Sequence, residues 1–310
     1  MYAIAATVLE GKSGSPTTAR QAQRRAATAA PSRPRSNSRY AERPQRDAVL
    51  DAARAALVDA TQFVREKNIV TLPDEPLEII VMPEFQQGVA LAYCDSPGPL
   101  EAGQKTFYAV SPIPAQWTQR ADRFIPARIQ LALDSQPHHS RSHAGPLPAA
   151  RACQQVSVDV AQRCWRSGPF IEGWAVYTER VMSEQGYMNG DPLMKLIQLK
   201  WYLRTIVNAL LDQAVHVDGI SREAAMKLLT ESGFQEEREA AGKWTRAQLT
   251  SAQLPVYFVG AQEHIGVARR GRAARWAPRS NLREYHDKVL SYGSPPVRFA
   301  RELMFDLPIE

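Results

Sequence analysis

FIEGWAVYTERVMSEQGY, residues 170–187, is the stretch whose pattern decides the fold of this chain. Its apolar and aromatic residues recur at intervals of three and four, which is the period of an α-helix. After it, Asp191 and Pro192 open a second apolar helix that is predicted from Leu193 to about Val217 and is closed by Gly219. Ser221 is predicted to start a further helix that ends near Gly233.

The stretches on either side of this helical region carry equally clear local signals. Residues 47–68 repeat apolar positions at helical spacing and predict an amphipathic helix. LEIIVM, GVALAYCD and KTFYAV, in residues 77–110, are separated by Pro/Gly turns and predict three short strands. Asn281 with Glu284 is a capping-box signature for NLREYHDKVLSYG, and an amphipathic segment follows Pro296. We therefore expect a mainly α fold with a small antiparallel β-sheet.

Composition limits the class of protein. The 310 residues are 44% hydrophobic, which is typical of a globular chain. No run of about 18 apolar residues is present, so no membrane span is expected. Residues 1–14 lack the basic start and long apolar stretch of a secretory signal, and Cys94, Cys153 and Cys164 are too few for a disulfide framework. The compartment stays undetermined.

The net charge of +6 is concentrated in three segments, residues 1–46, 125–166 and 265–279. Each is rich in Arg with Ala, Pro, Gly or Ser and shows little periodicity. Residues 1–45 are typical of a disordered basic arm, and residues 265–279, with five arginines and no carboxylate, are typical of a basic loop. Because no aromatic platform or known binding module accompanies the charge, we expect no nucleic-acid partner. These compositions are also what G/C-rich DNA encodes when it is translated out of frame.

The segment DSQPHHSRSHAGPLPAARAC, residues 134–153, contains three of the six histidines of the chain. His139 and His143 have a spacing that two metal ligands on one helix face require. However, the prolines and Gly145 around them break a helix, and no adjacent carboxylate is present to act as a base or orient a ring. The composition therefore favours a polar loop over a metal site.

Five segments carry a resemblance to a known family: PLEIIVMPEFQQGVALAYCDSPGPLE, FIEGWAVYTERVMSEQGY, LKWYLRTIVNALLDQAVHVDGIS, GFQEEREAAGKWTRAQLTSAQLPVYFVG and YHDKVLSYGSPPVRFARELM. Together, and in this order, they resemble the C-terminal half of the bacterial domain-of-unknown-function 885 family, whose members are similar to zinc metallopeptidases. EGWAVY followed by Glu179 is the most specific piece. The resemblance implies that residues 46–310 are the C-terminal part of such a domain, with a helical metallopeptidase-like body.

Most members of that family carry an H-E-A-x-P-G-H-x-x-Q helix shortly before EGWA, and this chain does not. The histidine-rich segment stands at its expected place. The stretch from His138 onward, HHSRSHAGPLPAARACQ, can be encoded so that the frame one nucleotide later spells IIHEAMPGHYLQLAHAN. We therefore hypothesise that residues 125–166 are a frameshifted translation of the zinc-binding helix, with residues 1–45 and 265–279 as weaker cases.

The resemblance also implies which retained residues belonged to the site. Intact relatives are expected to bind zinc and hydrolyse peptide substrates through zinc-activated water. Glu172 is the candidate third zinc ligand, and the alternative is a carboxylate stabilised by the helix dipole. Glu179, seven residues on and on the same face, either orients a ligand or is solvated, and its charge favours solvation.

Four further residues have both a catalytic and a structural interpretation. His286 and Tyr292 are candidates for donating a hydrogen bond to an oxyanion, as in similar zinc peptidases, or they serve helix packing. His216 is a candidate site residue, although a lone histidine in an apolar helix is more often a hydrogen-bonded core residue. Arg204 either holds a substrate carboxylate or pairs with Asp212.

Two function classes follow. The first is a zinc-dependent peptidase lineage in which this chain is inactive and binds no zinc, because the HExxPGH helix is missing. The second is a non-catalytic helical scaffold. A basic nucleic-acid-binding protein is a third and weaker alternative, since it rests only on the three Arg-rich segments.

Overall fold

The computed structural model describes residues 49–72, 77–87, 92–95, 105–112, 166–273 and 282–307, and the fold across them is mainly α-helical, as predicted. The helices are α1 (Val49–Glu66), α2 (Gly168–Glu184), α3 (Pro192–Gln213), α4 (Arg222–Lys227), α5 (Glu237–Leu249), α6 (Val256–Ala273), α7 (Leu282–Leu290) and α8 (Val297–Phe305). The strands are β1 (Leu77–Val81), β2 (Ala92–Asp95) and β3 (Thr106–Val110). The predictions for residues 1–45, for residues 125–165 with His138, His139 and His143, and for the cap at Asn281 lie outside the described residues.

The sheet corrects one prediction, because it is mixed and not purely antiparallel. Its strand order is β1-β3-β2. β1 pairs with β3 in parallel, with Leu77 opposite Thr106, whereas β2 pairs with β3 antiparallel. β3 therefore occupies the centre, and β1 and β2 do not pair although they are consecutive. The turn signals between the strands located the strands correctly but carried no information on their order.

Helix α1 covers one face of this sheet. Val49 and Ala53 on α1 are buried with Leu77 and Ile79 of β1 and with the central strand β3 in one hydrophobic cluster. The alternating burial along β1 is the pattern of a strand with one face in a core. The apolar face of α1 and the buried face of β1 thus pack against each other.

The chain divides into two units, each with its own core. The insert unit comprises residues 199–258, and the main unit comprises the described residues of 44–198 and 259–310. The insert core is formed by Val207, Leu211, Ala225, Leu229, Ala240, Ala247 and Leu254. In this unit α3 ends in a π-turn, Ala214–Asp218, and Gly219 follows in the left-handed conformation, as the sequence predicted for the stop. Ser221 caps α4 by accepting a hydrogen bond from the Ala224 amide at 3.2 Å.

Helix α2 is the central element of the main unit. Its middle, residues 173–179, is buried around the whole circumference, which is the environment of a core helix, whereas Glu184 at its end is exposed. Ser167 begins it, with its Oγ accepting from the Phe170 amide at 3.3 Å. The Ser167 amide in turn donates to the Ser294 carbonyl at 2.9 Å, so the start of α2 is tied to the segment that leads into α8.

Helices α2 and α6 touch backbone to backbone. A Cβ placed on Gly173 would lie 2.2 Å from the carbonyl carbon of Gly260, and a Cβ on Gly260 would lie 1.8 Å from the Pro169 oxygen. Both distances are far below van der Waals contact, so only glycine fits at either position. Gly173, the glycine of EGWA, is therefore required by helix packing, which the sequence pattern did not reveal.

Helix α6 also corrects the interpretation of residues 265–279 as a basic, out-of-frame loop. Residues 265–273 continue the helix, and Ile265, Val267 and Ala268 are buried in the main core. Arg269 and Arg270 are exposed beside them. The arginines thus belong to the solvated side of an ordinary amphipathic helix. Residues 274–279 lie outside the described ranges.

Replacing Gly260 by Ala should lower the free energy of unfolding by about 1–3 kcal/mol or more, because the added methyl group meets backbone atoms that cannot rotate away. The matched control is Gly266→Ala on the same helix, where nothing lies within 4 Å of the added Cβ. That change should raise stability by roughly 0.5–1 kcal/mol, since alanine loses less entropy in a helix. Urea unfolding measures both, and equal effects would show that the helix crossing is not close.

Candidate functional site

A cluster of two histidines and several aromatic rings fills the centre of the main unit. His286 on α7 is fully buried. Its Nδ1 lies 2.7 Å from the Ile69 carbonyl oxygen, and its Nε2 lies 3.0 Å from the Tyr177 hydroxyl on α2. Because a carbonyl only accepts, Nδ1 carries the proton, so Nε2 accepts from the tyrosine. Both ring nitrogens of His286 are therefore engaged by the protein itself.

His264 on α6 is the second buried histidine. Its Nε2 lies 3.0 Å from the Phe170 carbonyl oxygen and must donate to it. The ring packs edge-on against Phe170 and Trp174, with centroid distances of 4.9 and 5.4 Å. Trp174 also contacts His286 edge-on at 5.2 Å. Edge-to-face contacts of this kind stabilise a packed cluster.

Burial keeps both imidazoles neutral. For His264 and for His286, removal from water lowers the pKa to about 4, while the hydrogen bond to a carbonyl oxygen acts in the opposite direction. The neighbouring His286 further lowers the pKa of His264, and Asp287 opposes the fall for His286. The pair therefore acts as neutral hydrogen-bonding groups near pH 7.

The same part of α7 connects residues distant in the sequence. Besides the bond from His286 to Ile69, the Asp287 carboxylate accepts from the Thr71 amide at 2.9 Å and from its hydroxyl at 2.6 Å. Two consecutive residues of α7 thus hold the segment that follows α1. This arrangement gives His286 a structural role; its catalytic role stays a prediction.

Glu172, the predicted zinc ligand, lies half-buried in the first turns of α2. It is five residues before Tyr177, which corresponds to about 140° around the helix axis. The two side chains therefore leave α2 on nearly opposite sides. The shared cleft of Glu172 and His286 that the resemblance implied stays a prediction, and the helix geometry weighs against it.

Glu179 corrects a third prediction, because it is buried and not solvated. Its side chain is 3% exposed. The rule that charged residues lie at the surface failed here because Glu179 belongs to the part of α2, residues 173–179, in which every residue is buried. Glu179 lines a small cleft with Ser183, Asp191 and Gln198.

His216, in the insert unit, is hydrogen-bonded as the sequence favoured, but it is exposed and is not a core residue. Its Nε2 lies 3.0 Å from the Ala247 oxygen and 2.8 Å from the Thr250 oxygen, at the end of α5. Since both partners are acceptors, Nε2 donates to them and satisfies carbonyls that a helix end leaves open. A site role for His216 stays a prediction.

Arg204, in the same unit, forms an ion pair with Glu239 at 2.7 Å and lies over the Trp201 ring at 4.6 Å. The predicted partner, Asp212, instead accepts from the Ala252 amide at 3.1 Å. The alternative of an Arg204–Asp212 pair is therefore wrong. The role of holding a substrate carboxylate stays untested.

Tyr292 follows α7 in the main unit and is half-buried against the core. The Lys288 ammonium group lies 4.9 Å from its ring centroid, which is a cation–π distance. This is the packing that the sequence offered as the alternative to an oxyanion role.

Two residues of the histidine cluster, Tyr177 and His264, were not predicted as site residues. His264 directly precedes residues 265–279, which had been interpreted as a loop.

Zinc does not fit the residues that the structure describes. None of the six histidines of the chain is followed by Glu, so the sequence offers no HExxH pair. Of the three histidines described, each has a ring nitrogen bonded to a backbone carbonyl oxygen. Across the described ranges, no three His, Cys, Asp or Glu side chains form a group that could hold a metal ion.

Comparisons with known proteins identify relatives of unknown function. The family model described as "Bacterial protein of unknown function (DUF885)" matches residues 1–304, and this match gives no support to a frameshift. A "putative lipoprotein of unknown function" from Shewanella oneidensis has a similar structure, with a TM-score of 0.72 and 32% identity over 84% of this chain. A "putative lipoprotein" from Colwellia psychrerythraea matches with a TM-score of 0.71 and 21% identity over 83% of the chain, which shows the fold alone.

The chain spans less than half of both solved relatives, 46% of the first and 42% of the second. A search of curated proteins finds no match. Among the described helices, none is long and apolar enough to cross a membrane. The family and the fold are therefore established.

The two buried histidines predict how stability depends on pH. Their pKa is about 4 in the folded chain and 6.5 in the unfolded chain, so the unfolded state binds more protons between these values. Their contribution to the free energy of unfolding is complete above pH 6.5 and is lost as the pH falls toward 4. Between pH 6 and 5 the free energy of unfolding should fall by roughly 1 kcal/mol per pH unit for each histidine.

Urea unfolding at closely spaced pH values between 7 and 5 tests this dependence. His286→Asn removes one of the two rings, and the slope should then fall to about half of its value in the unchanged chain. A flat profile in the unchanged chain would show that the two histidines are not buried in the neutral form.

Proposed function

Because the chain belongs to the bacterial family of unknown function DUF885, we propose that it descends from zinc-dependent peptidases and is itself inactive as a peptidase. The observation that carries the proposed inactivity is the environment of His286. A histidine that donates to the Ile69 carbonyl and accepts from Tyr177, with no exposed surface, has no free nitrogen for a metal or an oxyanion.

The segment from His138 to Cys153 supports the peptidase origin. It can be encoded by codons whose next frame spells HEAMPGHYLQ, at the place where relatives with an intact motif carry their zinc-binding helix. Ser140, Arg141 and Ser142 stand there instead and supply neither a metal ligand nor a general base. Relatives with the intact motif would hydrolyse peptides, whereas this chain retains only Glu172 of the three proposed protein ligands.

A non-catalytic scaffold is the alternative, and it has its own support. His216 and Arg204, two of the proposed site residues, make internal contacts, with the end of α5 and with Glu239. Residues that are used in this way stabilise a fold without any substrate. In this alternative the frame of residues 125–166 is genuine and restoring the motif confers nothing.

The decisive comparison is between the 310-residue chain and a version in which the shifted frame replaces residues 125–166. We expect no bound zinc and no chelator-sensitive peptide hydrolysis in the unchanged chain, because two histidine ligands and the glutamate base are missing. The restored version should bind zinc and hydrolyse peptides. Equal behaviour of the two chains, whether active or inactive, would contradict the proposal.

Within the restored chain, Glu172→Gln should lower zinc-dependent hydrolysis by at least about 100-fold, the upper end of the loss for residues that merely support a metal ligand. Glu184→Gln is the matched control, since Glu184 lies on the same helix, is exposed and pairs with Arg180 at 2.6 Å. That variant should keep full activity. Equal activity in the Glu172→Gln and Glu184→Gln variants would remove Glu172 from the proposed site.

A further inference from the structure

The segment that follows α1 turns sharply and enters the main core. Asn68 has a positive φ of 51°, and its amide donates to the Arg65 carbonyl at 3.1 Å. The Ile69 amide donates to the Val64 carbonyl, also at 3.1 Å. This pair of bonds is the Schellman motif, in which asparagine tolerates the left-handed conformation that ends a helix. As a result, Ile69 and Val70 are buried in the main core.

Two neighbouring side chains of α7 hold this segment. His286 Nδ1 donates to the Ile69 carbonyl at 2.7 Å. The Asp287 carboxylate accepts from the Thr71 amide at 2.9 Å and from its hydroxyl at 2.6 Å. We call these three hydrogen bonds the latch. Because Thr71 is exposed and His286 is fully buried, release of residues 69–71 is a short route by which water reaches the ring.

His286 is the group of the latch whose charge changes with pH. In the neutral ring Nδ1 donates to Ile69 and Nε2 accepts from the Tyr177 hydroxyl. Protonation makes Nε2 a second donor, so Tyr177 can no longer donate to it and its hydroxyl must reorient. The added charge also lies among aromatic rings and away from water, which is unfavourable. Protonation therefore favours a state in which the ring is hydrated.

The surroundings of His286 oppose its positive charge on balance. Within the described residues, titratable side chains face the ring from three helices: Tyr177 from α2, His264 from α6, and Tyr285 and Asp287 from α7 itself. Asp287 supplies a negative charge, but its carboxylate is shared with Thr71 and lies 4.0 Å from the Arg283 Nε. Burial lowers the pKa of His286 to about 4, while the Ile69 carbonyl and Asp287 act in the opposite direction.

We propose that the latch is an acid-sensitive switch, in which protonation of His286 releases residues 69–71 from α7 while the helical core stays folded. The release is small, because this segment contributes only Ile69 and Val70 to the buried residues of the main core. It loosens the connection between α7 and the segment that leads from α1 to the sheet. The proposal does not depend on whether the chain has peptidase ancestry.

Amide hydrogen exchange of the full 310-residue chain, followed by NMR between pH 7 and 5, measures the release. The Ile69 and Thr71 amides report on the latch, and the amides of α2 report on the core. After correction for intrinsic exchange rates, protection of the latch amides should fall roughly five- to tenfold from pH 6 to pH 5, because the hydrated ring regains an ordinary pKa.

Urea distinguishes release of the latch from unfolding of the whole chain. At about 1 M urea, below the unfolding transition, the latch amides should exchange at an unchanged rate, because local release exposes little surface. The α2 amides should exchange faster, because they open only when a large surface is exposed.

Two variants of adjacent residues identify the titrating group. His286→Asn keeps an amide donor near the position of Nδ1 without a titrating ring, so protection of the latch amides should change by less than about twofold between pH 6 and 5. Asp287→Asn is the matched control, since it removes one acceptor for Thr71 and leaves His286 in place. It should weaken protection at every pH and preserve the pH dependence.

The proposal is overturned if urea accelerates exchange of the latch and α2 amides in parallel, or if latch protection in the unchanged chain is the same at pH 6 and pH 5. It is also overturned if His286→Asn keeps the full pH dependence, or if Asp287→Asn abolishes it. Should either variant fail to fold, the urea comparison in the unchanged chain decides the question.

Discussion

The contact between the backbones of α2 and α6 is the constraint on which the main unit depends. At Gly173 and Gly260 the two helices approach so closely that neither position has room for a methyl group. This approach places the Phe170 carbonyl oxygen within hydrogen-bond distance of His264 and brings Trp174 against the same ring. A wider crossing would break that hydrogen bond and open voids around the aromatic rings. The histidine cluster is thus a consequence of a helix crossing that glycine alone permits.

Burying two histidines in this cluster has a chemical consequence. Because each ring nitrogen that carries a proton donates to a carbonyl, the rings satisfy buried polar groups without carrying charge. The bond to Ile69 and the two bonds from Thr71 to Asp287 connect parts of the chain that are more than 200 residues apart. α7 therefore fixes the segment after α1, and His286 stabilises the fold through the contacts that make it unsuitable as a metal ligand.

Local pattern was sufficient to predict most of the secondary structure. The helical spacing in residues 170–187 and the Pro/Gly turns between the strands located α2 and β1–β3, because both signals depend only on neighbouring residues. Strand order and the Gly173–Gly260 contact depend on tertiary packing, and a single sequence does not encode them locally. Residues 265–273 misled the prediction because their arginines obscured the buried Ile265, Val267 and Ala268 that precede them.

The candidate site was harder to predict for the same physical reason. Glu179 was assigned to the surface by its charge, whereas its position in the fully buried middle of α2 decided its environment. Glu172 and Tyr177 were close in sequence, yet the helical turn separates them. His264 contributes to the cluster through a carbonyl on another helix, which no spacing rule anticipates.

The central proposal is that the two buried histidines, His264 and His286, hold the fold together and do not bind a metal. Long-range ¹⁵N–¹H spectra of the folded chain, recorded near pH 7 before and after addition of zinc, test it most directly. The account predicts neutral rings with the proton on Nδ1 of His286 and on Nε2 of His264, both unchanged by zinc. A zinc-induced shift of either ring's nitrogens, or a charged imidazole at that pH, would contradict it.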